Sequence, residues 1–69
     1  MKFSYDRDTD SLYINLNASP SVDSREIPDD LVVDYGEDGR IIGLDIQHAS
    51  CCLDLSTIET EHLPLPLSV

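Results

Sequence analysis

The sequence predicts a mainly β protein: an antiparallel β-meander of about five strands with a short C-terminal helix. Three observations predict it. "SLYINLN" (residues 11–17) sets Leu12, Ile14 and Leu16 against Tyr13 and Asn15, the period of two that sends successive side chains to opposite faces of a sheet. "RIIGLDI" (residues 40–46) repeats it, with Ile42, Leu44 and Ile46 inward and Ile41, Gly43 and Asp45 outward. Every connector between such runs is also short enough for a hairpin.

The remaining elements follow in order. "KFSYD" (residues 2–6) alternates Phe3 and Tyr5 with Lys2 and Ser4. After the loop "NASPS", "VDSREI" (residues 22–27) is a weaker strand, because strict alternation puts Val22 and Ile27 on opposite faces. Either a bulge near Glu26 shifts its register or both faces are partly covered. "LVVDY" (residues 31–35) places Leu31, Val33 and Tyr35 on one side and Val32 and Asp34 on the other. Asp38-Gly39 supplies the positive φ that a tight hairpin needs, and "PDD" (residues 28–30) ends a strand and starts a turn.

Beyond Ile46 the alternation stops. "HASCCLDL" suits a turn or short helix, and Ser56 with Glu59 three residues on resembles a capping box for a helix that Pro64 would end. Such a helix has two turns at most and must pack on something to persist. In "LPLPLSV" an extended chain puts Leu63, Leu65 and Leu67 on one face and Pro64 and Pro66 on the other. The prolines would then lie on an outer sheet edge where a missing NH costs nothing; the alternative is a polyproline-like tail. The expected layout is one domain, 1–69: a meander over 1–46, a turn or short helix over 47–62, and a Leu-Pro tail or edge strand over 63–69.

Sixty-nine residues allow a single core, and cores of this size seldom contribute more than roughly 3–5 kcal/mol net. Four Lys and Arg against fourteen Asp and Glu leave a net charge of -10. Phosphate backbones and anionic membranes repel such a surface, so direct nucleic-acid binding and membrane association are not expected. A basic protein partner fits the charge; so does acidity that merely maintains solubility. No run approaches the roughly 18 apolar residues of a membrane span. "MKFSYDRD" becomes charged too early for a signal-peptide core, and Cys51 and Cys52 are adjacent, unsuited to a disulfide framework. A cytoplasmic protein with free, at least half-buried thiols is expected.

Asp6, Asp8 and Asp10 resemble the first ligands of a calcium loop, but Ser11 stands where glycine is required and Asn17 where a bidentate glutamate is required. Both flanks alternate with period two, so the cluster reads as a turn whose carboxylates bond nearby amides.

The pattern Tyr5-Asp6 followed by Asp10-Ser11-Leu12-Tyr13-Ile14-Asn15-Leu16 resembles the opening of a family of very short prokaryotic proteins known only as a domain of unknown function. "VVDYGEDGRIIGLDI" (residues 32–46) is similar to that family's second signature, and "HAS" (residues 48–50) matches a place where an acidic residue usually precedes Ala-Ser. His48, the cysteine pair and the longer tail depart from it. Members are thought to sit beside small toxin-like genes, so the resemblance implies an antitoxin-like role.

His48, Cys51 and His62 could contribute to a metal or Cys–His site, but zinc sites usually separate paired cysteines by two to four residues, and no metal or cofactor is expected. Asp34 and Asp45 share the outward face of adjacent strands, either as a spot for a partner's Arg or Lys or as acids screened by Arg25 or water. Together with Tyr13 they form the candidate partner-binding set. No catalytic constellation is evident, and a non-enzymatic interaction module that neutralises a basic partner is the leading expectation. A mimic of nucleic-acid charge, with acids spaced along one ridge, and a small metal or enzymatic protein using His48, Cys51 and His62 are its rivals. A homodimer is expected, because one sheet with little helix leaves an apolar face half covered; Val32, Ile41, Leu63, Leu65 and Leu67 are its candidate contacts.

Overall fold

The structure is a computed structural model and describes residues 1–64. Five strands form one antiparallel sheet: β1 (Lys2–Asp6), β2 (Ser11–Asn15), β3 (Asp23–Ile27), β4 (Leu31–Tyr35) and β5 (Ile41–Ile46). A single helical turn, α1 (Ala49–Cys52), follows. β1 and β4 span the residues expected from alternation; the other three are shorter at one end.

The strand order is β1-β2-β5-β4-β3, which departs from a meander in strict sequence order. β3, β4 and β5 are joined by hairpins, but β5 inserts between β4 and β2, so the last four strands form a Greek key. The connector from β2 to β3, residues 16–22, therefore passes the ends of β5 and β4. Three strand spacings amount to roughly 14 Å, well within the reach of seven residues. Length alone cannot distinguish this crossing from a loose hairpin.

Irregularity gathers where β2 hands over to that crossing. The amides of Leu16 and Asn17 both donate to the carbonyl of Ile42, at 2.7 and 3.2 Å, and the β4–β5 register slips between Asp34 and Tyr35. β3 pairs with β4 without interruption from Asp23 to Ile27, so the bulge considered near Glu26 lies instead across β4 and β5. Gly39 has φ 83° in the tight turn before β5, closed by Gly36 N–H donating to Arg40 O at 2.8 Å.

Register pairing sorts the side chains into rows running across all five strands. One face carries Phe3, Ile14, Leu44, Val33 and Arg25 in one row, and Tyr5, Leu12, Ile46, Leu31 and Ile27 in the next. The other carries Ser4, Tyr13, Asp45, Val32 and Glu26, beside Lys2, Asn15, Gly43, Asp34 and Ser24. The first is an apolar face with Arg25 and Asp23 at its border; the second is polar.

Burial is shallow. Val33, Ile42 and Ala49 are the buried apolar residues among those described, and no large side chain is fully buried. α1 closes one end of the sheet: Ala49 N–H donates to Asp10 O at 2.9 Å and Gln47 N–H to Asp30 O at 2.8 Å. The helix expected from Ser56 does not form. The Ser56 amide donates to Asp54 Oδ1 at 3.0 Å and its hydroxyl to the same oxygen, so the nearer aspartate captures the would-be cap in a turn. From there to residue 64 the chain runs past the apolar face without regular structure.

A candidate binding face of carboxylates

Four of the five acidic residues within strands, Asp6, Glu26, Asp34 and Asp45, lie on the polar face, and Asp23 alone lies on the other. At its centre is Gly43, whose lack of a Cβ makes room for a ring from the neighbouring strand: a Cβ there would fall 2.1 Å from Tyr13 Oη. The Tyr13 ring crosses β5 at this slot, and its hydroxyl donates to Asp34 Oδ2 on β4 at 2.8 Å. Ser24 Oγ, on β3, donates to Asp34 Oδ1 at 2.6 Å. One polar chain thus spans β2 to β3, with both Asp34 oxygens satisfied. The bond to Asp34 raises the Tyr13 pKa above its usual 10.0; burial and the charges of Asp34 and Asp45 add to the effect.

Asp45 lacks such partners. It sits opposite Tyr13 on one side and Val32 on the other, offset diagonally from Asp34, which faces Gly43. Its Oδ1 is shielded from solvent and accepts no hydrogen bond. Next to it the surface dips into a concavity of about 620 Å³ whose lining includes Ser4, Asp6, Ser11, Tyr13, Asp45 and His48. Arg25 does not screen these carboxylates. It points to the opposite face, 3.9 Å from Asp23 Oδ2 and over the Tyr35 ring at 5.8 Å.

The aspartate cluster of the first turn is structural. Asp6 Oδ1 accepts the Asp8 amide at 3.0 Å. Asp10, with φ 53°, accepts the Tyr5 hydroxyl at 2.6 Å and the Ser50 hydroxyl at 2.7 Å, together with the Ser50 amide. The Ser50 and Tyr5 bonds hold the Asp10 carboxyl below its ordinary pKa, and the same bond raises that of Tyr5. Asp10 therefore pins α1 to the first hairpin across 40 residues of sequence.

The other expected site residues disperse. His48 Nδ1 lies 3.2 Å from Asp30 Oδ2, while Cys51 and Cys52 are both exposed free thiols, contrary to the at least half-buried pair expected. Among the described residues, no group of three or more His, Cys, Asp or Glu could hold a metal ion; His48, Cys51 and His62 are not brought together. Val32 is half-buried on the polar face, Ile41 and Leu63 are exposed, and Leu65 and Leu67 lie outside the described residues. The fourteen acids occupy turns, both faces and the C-terminal segment, not the single ridge that a mimic of nucleic-acid charge requires.

Two features went unrecognised in the sequence. A glycine inside a strand often marks a close approach, which was the available signal for the Tyr13 slot. Nothing local links Asp10 to Ser50. Among the described residues no helix is long and apolar enough to cross a membrane.

No curated protein and no solved structure matches the chain significantly. The family model described as protein of unknown function DUF2283 matches residues 2–50, a span that holds all five strands, the Tyr13 slot and both ends of the Asp10–Ser50 clamp. With most of its length inside that match, the chain belongs to the DUF2283 family of proteins of unknown function.

Proposed function

We propose that the protein is a non-enzymatic interaction module, antitoxin-like in kind, whose polar face receives a cationic side chain of a basic partner. The observation that supports this reading most is Asp45. A carboxylate oxygen shielded from water and without a donor is costly to maintain, and a guanidinium or ammonium in the concavity that Asp45 lines supplies charge-assisted donors once the carboxylate turns toward it. The net charge of -10 adds long-range attraction that speeds encounter with a basic surface. Asp34, already holding two donors, contributes field more than bonds.

Calorimetric titration of an oligo-arginine peptide at low salt tests the reading. Asp45→Asn is expected to weaken binding roughly tenfold, whereas Glu59→Gln, in the C-terminal segment, leaves it nearly unchanged. Equal losses from both substitutions would reduce the interaction to diffuse charge attraction, and the reading would fail.

A further inference from the structure

The apolar face poses a separate problem. Its two rows are uncharged except for Arg25 at the border, yet Phe3, Tyr5 and Ile27 at its margins remain 45%, 47% and 43% exposed. Beside it the segment at residues 53–59 leaves a mainly apolar groove of about 720 Å³ against Phe3, Leu12, Ile14 and Ile46, with Asp54 and Glu59 also in its lining. The chain exposes 5737 Å², whereas a compact monomer of its 7.7 kDa exposes roughly 4300 Å². A stable interface removes roughly 800 Å² from each partner, less than this excess, part of which belongs to the exposed segment after β5.

We propose that this face is covered by the same face of a second copy, giving a two-layer β-sandwich homodimer. Two arguments select a second copy over another occupant. With three buried apolar residues and no large side chain fully buried among the described residues, the cover must be present whenever the chain folds, and another copy always is. Charge also permits it. Four of the five strand acids point away from the face, and sheets in a sandwich stack roughly 10 Å apart. The two acidic layers then stand on the order of 20 Å apart, beyond two Debye lengths of about 8 Å at physiological salt. Asp23 on this face and Asp54 and Glu59 in the groove beside it are exposed, so the cost that remains is the part that salt screens.

Sedimentation equilibrium of the full chain at tens of micromolar gives the test. The expected mass is twice the 7.7 kDa chain, with a thermal midpoint that rises with concentration. Phe3→Asp buries a charge in the interface and is expected to raise the dissociation constant by roughly a hundredfold or more. Ser4→Asp, one residue on and on the opposite face, leaves the mass unchanged. A wild-type monomer with a concentration-independent midpoint would overturn the proposal. Equal dissociation by the two substitutions would also overturn it, pointing to pairing along the β1 edge. So would a monomer that dimerises only after deletion of residues 65–69, since the chain's own terminus would then be the cover.

Discussion

Val32 and Val33 are neighbours in β4, but Val33 is 4% exposed while Val32 stands half-buried beside Asp45 on the other side of the sheet. The same contrast holds along β2: Ile14 joins an apolar row, and Tyr13 lies across a glycine to reach an aspartate two strands away. Every strand contributes to both faces, because alternation leaves no choice. The apolar face gains from excluding water and is indifferent to what excludes it. The polar face depends on individual bonds, so it is specific at each position and contributes less to stability. A one-sheet protein can therefore devote one side to holding itself together and leave the other free for recognition.

The largest expected effect lies on the apolar side. Ile42, 3% exposed, is expected to cost about 2–5 kcal/mol when cut to alanine, whereas Val32→Ala costs about 1 kcal/mol or less; urea denaturation of both variants measures the gap. Equal costs would erase the distinction between the faces.

A smaller effect sharpens the polar side. In Gly43→Ala the new methyl collides with the Tyr13 ring, and overpacking of this kind costs about 1–3 kcal/mol. The Tyr13 hydroxyl loses Asp34, so its pKa falls back toward 10.0, as ultraviolet phenolate titration will show. The sign follows from linkage. A raised folded pKa stabilises fully below pH 10.0 and is lost as pH climbs through the folded value, so the variant loses part of the wild type's alkaline destabilisation.

The smallest expected effect is confined to acid. Asp10 titrates below its ordinary 3.8 because Ser50 and Tyr5 donate to it. Its contribution is present above pH 3.8 and disappears as pH falls through the lowered folded value. Ser50→Ala should therefore flatten the acid limb of the stability profile, measured by denaturation across pH, and leave the alkaline limb alone.

Much of this division was readable beforehand. The alternation in residues 11–17 set Leu12 and Ile14 against Tyr13, that in residues 40–46 set Leu44 and Ile46 against Asp45, and Asp38-Gly39 marked its turn, because these signals are local. The insertion of β5 between β2 and β4 was not readable, since a seven-residue connector serves a hairpin or a crossing equally well. Ser56 and Glu59 looked like a capping box, but Asp54 lies nearer to Ser56 and wins it. Asp34 and Asp45 were recognised as a pair on one face. That Asp34 is satisfied and Asp45 is not depends on Ser24 and Tyr13 arriving from other strands.

Hydroxyl-radical footprinting of the two faces across a dilution series tests the central claim most directly. Phe3 and Tyr5, 45% and 47% exposed on the single chain, are expected to react slowly at high concentration and faster on dilution, while Tyr13 reacts at one rate throughout. Rates for Phe3 and Tyr5 that are fast and independent of concentration would contradict it, leaving the apolar face open to water.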